Sequence, residues 1–385
     1  MAKAEKAAGR PRQALMGQVK RLVVKIGSSS LTTRGRSLDR RVLRRLVADL
    51  VDLRERGMEV ALVTSGAVAA GMGHLDLEVR PRAIPDLQAV AAVGQNLLMN
   101  AYKGLFRRRG VPIGQVLLTA EDIFDNRRRY LNLENTFRSL FAYGAVPVIN
   151  ENDSVAVAEL KRQIGENDML AAYVTNLIRA QLLVILSDVE GLYSAYGPRG
   201  PEGELVRQMR YGDAEKHPTV ERSGSAVGSG GMETKLRAAR LLMASGEMMV
   251  IAHARKHRLL DIVDGCELGT LFLPARKRLN SRKRWIAFAS ACKGSVKVDR
   301  GAQRAIAERD KSLLPAGIVA CEGNFVAGDT IRVESEGGGE LARGLSRYDV
   351  DDLRCILGKN SQQVEDELGY PALEVIHRDD LVLLI

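Results

Sequence analysis

Val146-Pro147-Val148-Ile149-Asn150-Glu151-Asn152-Asp153 carries a short apolar run straight into a cluster of amides and carboxylates. A second Asn-Asp pair follows in Gly165-Glu166-Asn167-Asp168-Met169-Leu170. A strand that stops at a polar cluster is how open parallel α/β sheets build sites, because ligands bind beyond the carboxyl ends of the strands. Amides beside carboxylates suit a small, charged, hydrogen-bonding substrate. They equally suit a turn, since Asn and Asp bond their own backbone there.

The same alternation recurs on both sides of this stretch, from Leu22 to Phe272. Leu22–Ile26, Val60–Thr64, Pro112–Leu118, Val146–Ile149, Leu182–Ser187 and Met248–Ala252 read as strands. Helical patterns at Leu87–Arg109, Arg127–Tyr143, Asn167–Ile178 and Met232–Ser245 separate most of them. Between the first two strands, Val42, Leu43, Leu46, Val47, Leu50 and Val51 line one helix face, with Ser37 as the expected cap and Gly57 as the stop. Strands alternating with helices of this length predict an α/β domain, a mostly parallel sheet sandwiched by helices.

A chain of 385 residues exceeds what one hydrophobic core usually supports, so a second domain is expected. The pattern breaks where Arg276, Lys277, Arg278, Arg282, Lys283 and Arg284 precede the sole tryptophan, Trp285. Short strands follow at Gly294–Val298, Gly317–Cys321 and Asp329–Val333, then a glycine turn at Gly337. The expected organisation is a disordered tail over 1–17, an α/β domain over 18–275, a basic linker over 276–284 and a small β-rich domain over 285–385.

Composition narrows the function classes. The basic, Ala-rich start lacks the apolar centre of a secretory signal. No apolar run approaches the roughly 20 residues that span a bilayer. Cys266, Cys292, Cys321 and Cys355 lie far apart without metal-ligand spacing, which predicts reduced thiols in a cytoplasmic protein. The formal charge of +10 suits nucleic acid and anionic small molecules alike. His253 and His257 would share a helix face, as metal ligands can. With no third ligand nearby and Arg255 and Lys256 between them, a surface pair is the simpler reading, and no metal site is predicted. No Ser-His-Asp pattern or paired-carboxylate hydrolase signature is present.

Three glycine loops carry the chemistry. Lys25-Ile26-Gly27-Ser28-Ser29-Ser30 ends the first strand, where backbone N–H groups can approach a phosphate and Lys25 adds a point charge. It is not a Walker A loop, because the Lys precedes the Gly. Thr64-Ser65-Gly66-Ala67 repeats the arrangement at the second strand, either as an anion site or as simple capping by Ser65. Gly228-Ser229-Gly230-Gly231-Met232-Glu233-Thr234-Lys235 runs directly into an amphipathic helix, which a flexible linker rarely does. Its helix N-terminus favours negative charge, and Lys235 can reach a transferred phosphoryl group. Ser187-Asp188 closes another apolar strand at its carboxyl end.

Taken in order, these pieces resemble the amino-acid kinase family. Val23-Val24-Lys25-Ile26-Gly27-Ser28, Val63-Thr64-Ser65-Gly66-Ala67, Ala91-Ala92-Val93-Gly94-Gln95 and Gly230-Gly231-Met232-Glu233-Thr234-Lys235 carry the likeness. The Lys-Gly and Gly-Gly-Met pieces are shared with acetylglutamate, carbamate and uridylate kinases. The linker Arg282-Lys283-Arg284-Trp285 matches too, while Asn150-Glu151-Asn152-Asp153 and the appended C-terminal region narrow it to the glutamate-phosphorylating branch. That region resembles a PUA domain through Ser312-Leu313-Leu314-Pro315-Ala316-Gly317-Ile318, Gly323-Asn324-Phe325 and Gly328-Asp329. One departure stands out: the branch has Gly-Asp-Asn-Asp where this chain has Gly165-Glu166-Asn167-Asp168.

The resemblance implies ATP-dependent phosphorylation of the γ-carboxylate of L-glutamate, with Mg²⁺ bridging the ATP phosphates. It implies catalytic roles for Lys25, Asp168 and Lys235, with Asp168 holding the two lysines. Lys25, Gly27, Ser187, Asp188, Ser229, Gly230, Gly231, Met232, Glu233, Thr234 and Lys235 would bind the nucleotide. Ser65, Asp153 and Asn167 would bind glutamate. It further implies feedback inhibition by proline, a homo-oligomer, and delivery of the acyl phosphate to a glutamyl-phosphate reductase on the route to proline. Two alternatives remain: another amino-acid kinase of acetylglutamate or carbamate type, or an RNA-binding protein using the PUA-like region and the basic run. An aromatic content of 4% argues against the second, because single-stranded bases stack on aromatic side chains.

Overall fold

The computed structural model describes residues 12–33, 37–119, 122–123, 127–155, 167–197, 200–211, 213, 231–275, 283, 286–287, 290, 292–309 and 311–384. It separates into two compact units, one covering Met1–Ile123 and Arg127–Arg278, the other containing Leu279–Ile385.

The strands of the first unit are β1 (Arg21–Ile26), β2 (Glu59–Val63), β3 (Ile113–Leu118), β4 (Val146–Glu151), β5 (Leu182–Ser187), β6 (Gln208–Met209), β7 (Met248–His253) and β8 (Thr270–Phe272). They form one sheet in the order β6-β8-β7-β5-β1-β2-β4-β3. The β7–β8 pair is antiparallel, and every other neighbouring pair is parallel. Its helices are α1 (Arg12–Met16), α2 (Arg40–Glu55), α3 (Ala67–His74), α4 (Ile84–Arg107), α5 (Arg127–Ala142), α6 (Asn167–Leu177), α7 (Met232–Ser245) and α8 (Leu259–Val263). The central strands are buried along nearly their whole length, as β-branched runs covered on both faces should be. Leu22, Val24 and Ile26 of β1 join Leu46, Leu50 and Leu53 of α2 in one core cluster. Each such side chain contributes roughly 1.5–3 kcal/mol by leaving water.

Three local expectations are corrected. Asp39, not Ser37, caps α2: its carboxylate accepts from the backbone N–H groups of Arg41 (3.0 Å) and Val42 (3.3 Å). Ser37 instead pairs with Thr33 in a two-residue ladder. A carboxylate there also meets the positive end of the helix dipole. The tail does not run to residue 17, because α1 buries Met16 in the core while the Arg12 guanidinium donates to the Leu268 carbonyl at 2.6 Å. Finally, β4 does not stop at Ile149. Pairing with β3 continues through Leu117↔Asn150 and Leu118↔Glu151, since a backbone ladder is indifferent to side-chain polarity. Pro147 costs this strand nothing: β2 pairs with β4 only from Val148 onward, so no ladder bond to β2 is lost.

The second unit has strands β9 (Cys292–Val298), β10 (Ile318–Gly323), β11 (Thr330–Ser335), β12 (Glu340–Leu345) and β13 (Leu381–Leu383), ordered β10-β9-β11-β12-β13. Helices α9 (Arg300–Arg309), α10 (Val350–Ile356) and α11 (Ser361–Leu368) accompany the sheet. Val296, Val298, Ile331, Val333, Phe325 and Leu353 belong to its own core cluster. Of the expected basic linker, only Lys283 is among the described residues. No helix among the described residues is long and apolar enough to cross a membrane.

Candidate active site

Because β5, β1, β2 and β4 are parallel neighbours, their carboxyl ends open on one side of the sheet. There β1 delivers Lys25 and Gly27, β2 runs into Thr64-Ser65-Gly66, β4 ends on Asn150 and Glu151, and β5 on Ser187 and Asp188. The register is tight at these ends: Gly27 N–H donates to the Leu186 carbonyl (3.2 Å) and Thr64 N–H to the Ile149 carbonyl (2.9 Å).

Alternation along β1 puts Lys25 on the face opposite Val24 and Ile26, and α6 packs against that strand. Asp168, in the first turn of α6, is fully buried at 0% exposure. Lys25 (6% exposed) forms an ion pair with Asp168 Oδ1, and Lys235 Nζ (5% exposed) lies 3.2 Å from Asp168 Oδ2. The Thr234 hydroxyl, 3.2 Å from the same oxygen and 2.9 Å from the Gly231 carbonyl, can donate to either. Burial pushes the Asp168 carboxyl up, but the charges and hydrogen bonds of Lys25 and Lys235 outweigh it and hold its pKa below the ordinary value. One ionised carboxylate thus aligns two ammonium groups from different glycine loops.

A second cluster adjoins the first through Asn167, the residue before Asp168. Its Nδ2 lies 2.7 Å from Ser65 Oγ, 2.9 Å from the Thr64 carbonyl and 3.0 Å from Asn150 Oδ1. Asn150 (3% exposed) in turn donates from Nδ2 to Gln95 Oε1 on α4 at 2.8 Å. The loop between β2 and α3 needs Gly66, whose φ of 101° is left-handed. A Cβ on Gly94 would lie 1.7 Å from the Ala67 carbonyl oxygen, so only glycine lets α4 approach α3 closely enough to bring Gln95 in. Asp153 sits half-buried in the turn after β4.

On the other flank, Ser187 Oγ donates to Asp188 Oδ1 at 3.0 Å. Burial raises the Asp188 carboxyl, while hydrogen bonds from Ser187, its own backbone and Ser29, with the charge of Lys235, bring it below the ordinary value. The N-terminus of α7 carries Gly231 as its cap residue with no side-chain cap bond, and, its chain neighbours aside, none of the described residues lies within 4 Å of where a Cβ would project. Its backbone N–H groups suit an anion. Met232 and Thr234 are half-buried and Glu233 is exposed in this first turn. Ser229, Gly230 and the departure at Glu166 lie outside the described residues.

Of the residues expected from the sequence, the fold joins Lys25, Asp168 and Lys235 in ion pairs, and Ser65 with Asn167 by a hydrogen bond. Asn150 and Gln95 also belong to this corner, and both stand inside the motifs that carry the family resemblance. Their signal was a polar side chain at the end of an apolar run and another beside a glycine in a helix. The histidines do not share a helix face: His253 ends β7, and His257 Nε2 meets Glu190 at 2.6 Å. Among the described residues no three His, Cys, Asp or Glu side chains cluster as a metal cage.

A model of the amino acid kinase family matches residues 20–253, and a PUA domain model matches residues 294–368. The glutamate 5-kinase of Trichlorobacter lovleyi is 46% identical, covering 97% of this chain and 99% of its own. The glutamate 5-kinase of Thermoanaerobacter pseudethanolicus is 43% identical over 94% of this chain and 98% of its own. Carbamate kinase from Giardia lamblia superposes with a TM-score of 0.45 at 14% identity, covering 67% of this chain and 99% of its own. With a family model over more than half its length and relatives of this identity over almost all of it, the chain belongs to the amino acid kinase family, in its glutamate 5-kinase group.

Proposed function

We propose that this protein transfers the γ-phosphoryl group of ATP to the γ-carboxylate of L-glutamate, giving glutamyl 5-phosphate for proline synthesis. The observation that carries the reading is the convergence of Lys25 and Lys235 on the buried Asp168, beside the amide-lined corner of Ser65, Asn150 and Asn167.

A free carboxylate has a pKa of about 4.3, so the acceptor is already an anionic nucleophile at neutral pH. No general base is needed. What remains is to hold two anions in line and to neutralise charge on the moving phosphoryl group. Lys25 and Lys235 supply that charge, and Asp168 keeps them aligned. Ser65, Asp153 and Asn167 hold glutamate. Gly27, Ser187, Asp188 and residues 229–235 hold the nucleotide. Mg²⁺ entering with ATP would offset the charge of the phosphates. A homo-oligomer, proline inhibition near the glutamate corner, a glutamyl-phosphate reductase as the next enzyme and a cytoplasmic setting complete the proposal.

Hydroxamate formation from MgATP with glutamate, N-acetylglutamate or carbamate, beside UMP phosphorylation, tests the reaction. Turnover is expected with glutamate; preference for N-acetylglutamate would sink the assignment. Asp153→Ala is expected to raise the glutamate KM by about tenfold or more, because a charge-assisted bond to the α-ammonium is lost. A rise in the ATP KM alone would move Asp153 to the nucleotide side.

The catalytic reading draws only on the first unit, whose sheet is complete by Phe272. The two-domain organisation is therefore proposed to be functional as well as structural, and a fragment of residues 1–281 is expected to fold and turn over glutamate with MgATP. A well-folded fragment without turnover would mean that the second unit completes the site.

A further inference from the structure

We infer that Gln95 is a specificity-determining residue, donating from Nε2 to the α-carboxylate of the acceptor amino acid. The inference rests on assigning the Ser65–Asn150–Asn167 corner to glutamate. The direction of the amide relay is set by chemistry. Asn167 Nδ2 lies 2.9 Å from the Thr64 carbonyl oxygen, which can only accept, so the nitrogen of that amide must face it. Asn150 must then offer Oδ1 to Asn167 and Nδ2 to Gln95, and Gln95 must answer with Oε1. The two ends of the relay are left over. Asn167 Oδ1 and Gln95 Nε2 are both buried and without a partner among the described residues. Buried polar atoms are rarely left so: the unspent donor needs an acceptor, from a ligand or a water, and the unspent acceptor needs a donor.

The leftover atoms are one acceptor and one donor. Asn167 adjoins Asp168 and hence the lysine pair, the end where the reacting carboxylate belongs. Gln95 lies at the opposite end of the relay, beyond Asn150. A substrate with a carboxylate at each end, lying along these amides, brings its second carboxylate to the unspent donor. That is the α-carboxylate of glutamate.

Gln95→Glu separates this role from a structural one. The introduced carboxylate still accepts from Asn150 Nδ2, so a purely structural role predicts no kinetic change. As an α-carboxylate donor, Gln95 is replaced by a like charge. The glutamate KM then rises by about 100-fold, while kcat and the ATP KM stay within about threefold. Glutamate α-amide, which can donate to the new carboxylate, loses far less, so its kcat/KM relative to glutamate rises by a similar factor. An unchanged glutamate KM, or equal losses for glutamate and its α-amide, overturns the inference. If Gln95→Glu fails to unfold cooperatively, Gln95→Met is the substitute: a glutamate KM about tenfold higher supports the donor role, and an unchanged one refutes it. Asn167→Ala guards the underlying assignment. If it leaves the glutamate KM unchanged, the corner is not the acceptor pocket and both readings fall; if it raises KM where Gln95→Glu does not, the role of Gln95 alone is refuted.

Discussion

Lys235→Ala is expected to lower kcat by about a thousandfold while moving the glutamate KM by no more than about threefold. The ammonium group matters most while the phosphoryl group is in transit, so its loss removes transition-state rather than ground-state binding. Folding should survive, because Asp168 keeps its pair with Lys25 and the rest of α7 keeps its buried face. Steady-state kinetics together with a melting curve check this. A folded variant with near-normal kcat would refute the catalytic role.

Asp168→Ala is expected to abolish measurable turnover and to destabilise the fold by about 3–5 kcal/mol, since it leaves two buried ammonium groups without a counter-charge. The same pairing has a signature in acid. Asp168 titrates below its ordinary value: burial opposes this, but the two lysines prevail. A carboxylate lowered on folding contributes stability that is fully present above its unfolded pKa of about 3.9 and is lost as pH falls through the lower folded value. The wild-type melting temperature should therefore fall more steeply below about pH 4 than that of Asp168→Asn, which has no such proton to take up. Superimposable acid slopes for the two proteins would show that the carboxylate is not held ionised by the lysines.

Much of this site was visible in the chain because its signals are local. A polar cluster ending an apolar run, and a glycine loop entering an amphipathic helix, are written within about ten residues, the range over which capping and periodicity act. Even there the local reading slipped by small steps. Ser37 and Asp39 are both acceptable caps, and only the chain path, which puts Ser37 on a strand, decides for Asp39. Asn150 looked like the first residue of a turn, yet it continues β4 because β3 runs alongside it.

By itself, the sequence determined the α/β alternation, the glycine loops at strand ends and the membership of the family. What only the tertiary structure decided is which of those ends meet. The order β5-β1-β2-β4 is a matter of non-local pairing, selected by how buried faces pack rather than by any residue's own preference. That order sets Lys25 and Lys235, far apart in the chain, on the two oxygens of one buried carboxylate. It also brings Gln95 to Asn150 across the close contact that Gly94 allows, leaving a buried donor without a partner among the described residues. An unpaired atom is a property of three-dimensional surroundings, and no pattern along a chain can express it.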